Sequence, residues 1–392
     1  MIRIKKSRFV ASIIATVVAT ALIMCGIGCG LMTFGGVTLV NKKEYTENEK
    51  IAEKYEKLYK LQTLIENTYL WDVDEDEQMD NVYKALVDSL GDKYSAYYNV
   101  KETKKLTEYL SGTFAGVGIV FSQSKEDPTR YNVGRVIEDS PADSAGIKAG
   151  DVITAVDGKK YSDSEKIVAA LRGELGSRVK VTFERDGEVK TAKLVRGTIE
   201  DPSVGATVID KKYGYILISS FDKGTEKQFE EALNKMENKN LKGVIIDLRG
   251  NGGGVAEAGI NIADMLLPEA VITKTVDKNG KEQVYNSDGE CTKMKYVVLV
   301  NGDSASTSEI LAGAIKDNNG GALVGTKTFG KGIIQTMEIL KDQSSIKLTT
   351  MEYLSPKGKH IHNKGITPDY VVKQPKNSKT DLQLKKAISL LK

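Results

Sequence analysis

Between Phe9 and Asn41 the chain carries no charged residue for 33 positions. That exceeds the ~20 residues a helix needs to span a bilayer and the ~7–15 of a secretion-signal core. The run predicts an N-terminal transmembrane helix, with a cleaved signal as the alternative. Arg3, Lys5, Lys6 and Arg8 precede it with no acid among them, which places the amino terminus in the cytoplasm. The expectation is a single-pass protein of the cell membrane, with the bulk of the chain on the extracytoplasmic side.

Beyond that run the charges nearly cancel. The whole chain has 56 Lys and Arg against 53 Asp and Glu, and the four leading bases account for the excess. No field remains to hold a polyanion, so a nucleic-acid binder that works by charge is excluded. Cys25 and Cys29 lie inside the apolar run and only Cys291 lies outside it, so the rest of the chain cannot close a disulfide of its own. The two histidines, His360 and His362, share one segment. A zinc site with histidines from several elements is thereby nearly excluded.

The pattern changes along the chain. Ile51, Tyr55, Leu58, Leu61, Leu64 and Ile65 recur at helical spacing, followed by Val82, Leu86 and Leu90, which predicts helices over 44–100 that serve packing or dimerisation. From Gly112 short alternating runs predict strands over 116–121, 133–137, 152–156 and 179–183, with one helix over 164–172. After Asp201 strands over 213–219, 244–248 and 296–300 alternate with helices over 225–236, 255–267 and 307–316, the order of a layered α/β domain. A short amphipathic helix over 382–391 ends the chain.

Gly116-Val117-Gly118-Ile119 opens a strand, and glycines there let successive backbone N–H groups converge on a carboxylate. Ser140-Pro141-Ala142, then Ala145-Gly146-Ile147-Lys148, Gly150-Asp151 and Ile153 follow, and Val156-Asp157-Gly158 closes the pattern. In this order they resemble a PDZ domain. The resemblance implies an extended chain end held as an added strand, its carboxylate in the 116–119 loop.

Three further segments can carry chemistry. Asp247-Leu248-Arg249-Gly250-Asn251-Gly252-Gly253-Gly254 leads from a strand into a helix, where unhindered N–H groups suit an oxyanion or a phosphate equally. Ser304-Ala305-Ser306-Thr307-Ser308-Glu309 joins another strand to a helix, and Ser306 with Glu309 reads first as a capping box. Residues 325–331 match the GxxxxGK of a phosphate loop, but Gly332 stands where the metal-binding hydroxyl belongs and Ile333, Gln335, Met337 and Ile339 continue as a strand. Both departures disfavour a nucleotide-hydrolysing enzyme, a third reading that nucleotide binding would reveal. Lys331 can serve instead as a base, provided burial lowers its pKa.

The order PDZ, DLRxNxGG, SASxSEI and FGKGxxQ resembles the carboxyl-terminal processing (tail-specific) serine proteases. Asp92-Lys93-Tyr94-Ser95-Ala96-Tyr97 and Gly365-Ile366-Thr367-Pro368-Asp369 extend the resemblance over most of the chain after Leu61. It implies an α/β and β multidomain protein: cytoplasmic tail and anchor over 1–41, a helical N-terminal region over 42–111, a PDZ domain over 112–197, a ClpP/crotonase-like layered α/β protease core over 198–375, and a C-terminal helix over 376–392. It also implies a Ser-Lys dyad, with Ser306 as nucleophile, Lys331 as base, Gln335 supporting the lysine, and the N–H groups of Gly253 and Thr307 as the oxyanion hole. Which of Gly252, Gly253 and Gly254 donates stays open at this level. Thr307 stands where the family usually has alanine, and Gly252 where proline or serine is common.

No cofactor or metal is called for. The partners implied are protein or peptide substrates with exposed C-termini, the membrane, and a second copy of the chain as a homodimer. The resemblance further implies that the PDZ domain can gate the active site, by activation or by inhibition. Two readings stand beside the peptidase: a Ser-His mechanism through His360 or His362, and a PDZ adaptor without catalysis, which the presence of both Ser306 and Lys331 disfavours.

Overall fold

The computed structural model describes residues 6–34, 41–375 and 377–392. The chain divides into two units, Met1–Met79 and Asp80–Lys392. In the first, the helix Lys6–Phe34 occupies most of the uncharged run. Among the described residues no helix is long and apolar enough to cross a membrane. The expected transmembrane anchor is thus without support from the fold, and its stretch over 35–40 lies outside the described residues. The helix Lys42–Thr68 begins where the Asn41 side chain accepts the Lys43 N–H at 2.9 Å, and none of its residues is buried.

The second unit contains an antiparallel five-stranded sheet in chain order, Ile119–Gln123, Tyr131–Val136, Val152–Val156, Arg178–Arg185 and Glu188–Val195. Its strands bury one face. In Arg178–Arg185, Val179, Val181 and Phe183 are buried while Arg178 and Lys180 are exposed. The helix Ser164–Leu171 lays Ile167 and Leu171 onto this core. Asp151, which is 1% exposed, is paired by the Arg185 guanidinium at 2.6 Å, so a charge required by the glycine turn is buried without being left alone. Strands Thr113–Gly116 and Gly197–Glu200 pair antiparallel at the point where the chain enters and leaves the domain.

The remaining core is layered. Six strands run in the order Tyr370–Val371, Ala322–Gly325, Tyr296–Val300, Gly243–Asp247, Tyr213–Ile218 and Val204–Ile209, parallel except for the last. Gly243–Asp247 and Tyr296–Val300 are buried at every position, which is why they read as unbroken apolar runs. Their alternate side chains serve two cores. Val244, Ile246, Val298 and Val300 face the helices Thr225–Glu237, Ala256–Leu266 and Thr307–Asp317, whereas Ile245, Val297 and Leu299 face the C-terminal helix Leu382–Leu390.

A second sheet is built on Ser345–Leu354, which pairs with Ile333–Ile339, Val271–Asp277 and Ala96–Tyr98, while Val271–Asp277 also pairs with Glu282–Asn286. Here the structure goes beyond the sequence reading. Ala96–Tyr98 falls in a stretch expected to be helical, and the strands at 188–195, 271–277, 282–286 and 345–354 were not expected. Three residues cannot establish a period, and VITKTVD or SIKLTTMEYL mixes polar and apolar positions because its faces are covered unevenly.

One ion cluster ties the chain end to the sheet. Arg249 donates to Asp247 at 2.6 Å and reaches Asp381 at 2.8 Å, and the Tyr215 hydroxyl donates to Asp247 at 2.7 Å. Burial, reinforced by the Asp247 charge, pushes the Tyr215 phenol up to about 12. Replacing Arg249 by alanine strands Asp247, which is 2% exposed, and the expected loss is about 3 kcal/mol of stability. Urea denaturation measures it. Arg249→Lys should recover only part of the loss, because one ammonium cannot reproduce the two-sided fork.

Candidate active site

Three adjacent parallel strands, Gly243–Asp247, Tyr296–Val300 and Ala322–Gly325, deliver their following loops to the same end of the sheet. Crevices outside the carboxyl ends of such strands are where open α/β sheets bind ligands. The three loops are those that carry the glycine run, Ser306 and Lys331.

Ser306 sits between strand and helix with φ +55° and ψ −116°, a conformation seldom adopted by a residue with a side chain. Its surroundings hold it there. The Ser306 N–H donates to Glu309 Oε2 at 3.0 Å. The Ser306 carbonyl accepts from the Glu309 N–H at 2.7 Å, the Ile310 N–H at 3.0 Å and the Tyr353 hydroxyl at 2.9 Å. Glu309 thus closes a capping box with Ser306, as the sequence suggested, and its own N–H also goes to the Ser306 carbonyl.

The Glu309 carboxylate is fully buried and reaches further than a cap. Its Oε1 accepts from the Thr328 hydroxyl at 2.6 Å and the Gly330 N–H at 2.7 Å, and its Oε2 from the Lys331 N–H at 2.7 Å as well as from Ser306. The nucleophile turn and the lysine loop therefore close on one carboxylate. Buried Tyr353 repeats the link, since its hydroxyl lies 2.9 Å from the Ser306 carbonyl and 2.6 Å from that of Lys331. Burial holds this phenol well above its ordinary pKa, and the Glu309 charge adds to the effect.

The Lys331 amine lies 4.9 Å from the centre of the Tyr94 ring. Burial lowers its pKa and the Lys347 charge lowers it further, while Asp92 and Glu309 pull the other way without restoring the ordinary value. Among the described residues no hydrogen bond joins the amine to the Ser306 hydroxyl. Gln335 turns its Nε2 to the Thr349 hydroxyl at 3.2 Å.

The glycine loop packs directly on the serine turn. A Cβ on Gly253 would lie 2.8 Å from Ser306 Cβ and 3.0 Å from Thr307 N, so only glycine permits the approach. Asn251, fully buried, organises the contact: its carbonyl accepts the Ala305 N–H at 3.0 Å and the Ser308 hydroxyl at 2.9 Å, and its Oδ1 accepts the Gly253 N–H at 2.8 Å. Among the described residues the Thr307 N–H has no acceptor. The Thr307 side chain turns away from it, its hydroxyl donating to the Gly254 carbonyl at 3.0 Å and its methyl packed on Gly259.

In the other candidate site, Gly116 ends one strand and Ile119 begins the next. The carbonyls of Val117 and Gly118 accept from Ala142 and Ile137, while among the described residues their N–H groups have no acceptor. Gly118 has φ +80°, and a Cβ there would meet Ser140 at 2.2 Å. Of the histidines, His360 bonds Glu352 at 2.8 Å, and the ring of His362 meets Tyr94, the ring beside the Lys331 amine, edge-on at 6.3 Å.

Sequence reasoning missed Tyr353, Asn251 as an organiser, Tyr94 and Thr349. Asn251 inside the glycine run and Tyr94 inside the 92–97 motif carried a local signal. The others come from segments remote in sequence.

Residues 212–372 match Peptidase family S41, and residues 115–195 match the PDZ domain. The carboxy-terminal processing protease CtpA of Bacillus subtilis (strain 168) is 34% identical over 365 residues, covering 91% of this chain and 77% of that protein. A probable CtpA-like serine protease of Staphylococcus saprophyticus is 32% identical over 95% of this chain and 75% of its own length. Among solved structures, the photosystem II D1 C-terminal processing protease is 29% identical with a TM-score of 0.49, over 85% of this chain and 90% of that one. Family S41 thus accounts for the layered core and its three loops, and the PDZ match for the antiparallel sheet inserted before them. The chain belongs to peptidase family S41, as a C-terminal processing serine protease that carries a PDZ domain and acts on protein substrates.

Proposed function

We propose that Ser306 is the nucleophile and Lys331 the general base, with Gln335 supporting the lysine. The observation that carries this reading is the Glu309 carboxylate, which takes one backbone N–H from each of the two residues. Neutral Lys331 removes the Ser306 hydroxyl proton as Oγ attacks the scissile carbonyl carbon. The ammonium then returns that proton to the leaving amine, and the C–N bond breaks to leave an acyl-serine. Water, deprotonated by the same amine, releases the acid and restores the serine. The Thr307 N–H, which has no acceptor among the described residues, donates to the oxyanion. Gly253 joins it by giving up its bond to Asn251 Oδ1.

The PDZ domain binds an exposed, apolar C-terminal tail, its carboxylate on the N–H groups of 116–119. The uncharged run anchors the chain in the cell membrane with the peptidase on the extracytoplasmic side, and the apolar positions of Lys42–Thr68, none of them buried, support a homodimer.

On an unstructured protein with an apolar C-terminus, Ser306→Ala should lower cleavage at least about a thousandfold, read by mass spectrometry. Equal cleavage by both proteins would remove the catalytic assignment. Protonated Lys331 cannot accept the serine proton, so kcat/KM should rise with pH through the lysine's pKa. Because that pKa is lowered, the midpoint should fall below about 10.4, the ordinary lysine value. A pH profile without a rising limb opposes a lysine base. Removing residues 1–41 should shift the protein from the membrane to the soluble fraction, where sedimentation equilibrium should give twice the chain mass.

A further inference from the structure

The turn Asp92–Ser95 takes no part in the mechanism above, yet it grips the strand that faces Gln335. Asp92 Oδ2 receives the hydroxyls of Ser95 and Thr349, each at 2.6 Å, and its Oδ1 receives the Tyr94 N–H at 3.0 Å. Ser95 Oγ in turn accepts the Thr349 N–H at 3.0 Å. Thr349 is thus held by backbone and side chain together.

The direction of these bonds matters. An ionised carboxylate only accepts, so the single hydroxyl proton of Thr349 is committed to Asp92. Thr349 can then offer Gln335 nothing but a lone pair, and Gln335 Nε2 donates to it at 3.2 Å. The sense of a glutamine amide is decided by its partners, and here a charge one residue further along decides it. With nitrogen turned to Thr349, the carbonyl oxygen is left as the group free to accept from a lysine. Burial pushes Asp92 up, but the Ser95 and Thr349 hydroxyls outweigh it and leave the pKa below the ordinary value, so the carboxylate is the acceptor at neutral pH.

Strand register supports the same arrangement independently. Ile334 faces Met351, but a bulge intervenes and Gln335 faces Thr349, with Thr350 left over. In regular register Gln335 would face Thr350, whose hydroxyl is bonded to Thr336 instead. The same turn also presents Tyr94 to the Lys331 amine, and the strand Ala96–Tyr98 that follows it pairs with 345–347.

We propose that Asp92 and Thr349 are positioning residues of the peptidase site: through the Thr349 hydroxyl they orient the Gln335 amide so that its oxygen accepts from Lys331 and the lysine lone pair points at Ser306. This rests on the Ser306, Lys331 and Gln335 assignment. The test measures kcat and KM of the full chain on an unstructured polypeptide with an apolar C-terminus, for Thr349→Val, Thr349→Ser, Asp92→Asn, Gln335→Ala and Thr349→Val/Gln335→Ala, with Ser306→Ala as reference and circular dichroism on each.

Thr349→Val, Asp92→Asn and Gln335→Ala should each lower kcat on the order of tenfold with KM unchanged, as expected when a base is held less well. Thr349→Ser should keep the wild-type kcat, and the double variant should be no slower than Gln335→Ala alone. The proposal is overturned by a folded Thr349→Val at full kcat, by a Thr349→Ser as slow as the valine variant, or by losses that multiply in the double variant. Should Thr349→Val not fold, Asp92→Asn at full kcat overturns it alone. A fully active Gln335→Ala beside an inactive Ser306→Ala defeats this inference and spares the serine nucleophile, whereas an active Ser306→Ala defeats the underlying reading.

Discussion

Glu309 carries a carboxylate into the interior of the core, where an ionised group costs several kcal/mol unless its lone pairs are satisfied. Its four donors are the N–H groups of Ser306, Gly330 and Lys331 and the hydroxyl of Thr328. They belong to two loops that follow neighbouring strands, so the charge can be buried only when both loops are in place. The strained backbone of Ser306 has the same dependence, since its N–H ends on this carboxylate and its carbonyl on Tyr353. Burial of one acid and assembly of the site are therefore a single cooperative event.

The sheets supply the rigidity this needs. Strands Gly243–Asp247 and Tyr296–Val300 are covered on both faces, so the loops at their carboxyl ends start from fixed positions. The Asn251 side chain and carbonyl then fasten the glycine run to the serine turn and to the carbonyl of Ile218. From the other side the second sheet brings Tyr353 and Thr349 on one strand, so the lysine loop is braced by elements that precede and follow it in the chain.

Much of this was legible beforehand for local reasons. Doubly covered strands show as unbroken apolar runs, and close backbone approach shows as glycine, as at Gly253 and Gly118. The serine, lysine and glutamine were expected from a motif order; the loops that bear Ser306 and Lys331 follow neighbouring strands of one sheet, whereas Gln335 lies on a strand of the other. Glu309 was half legible: three residues after Ser306 it announces a helix cap, and its bonds to Gly330 and Lys331 leave no trace at that spacing. The strands at 271–277 and 345–354 escaped detection because their partners, rather than their own period, define which side is covered. The glycine expected to donate to an oxyanion has its N–H on Asn251 Oδ1, a detail set by a side-chain rotamer.

What the sequence alone determined is whatever depends on neighbours along the chain: the uncharged N-terminal run, the apolar strands, the glycine turns, the helix starts, and the order of motifs that marks a PDZ-bearing serine protease. Tertiary structure decided which remote groups share a hydrogen bond. Thr349 lies 257 positions from Asp92, yet its hydroxyl reaches that carboxylate, and a bulge sets the same threonine opposite Gln335. Hydrogen bonds act over about 3 Å in a fixed direction, so such pairings are settled by packing and strand register, which no local pattern of residue types encodes.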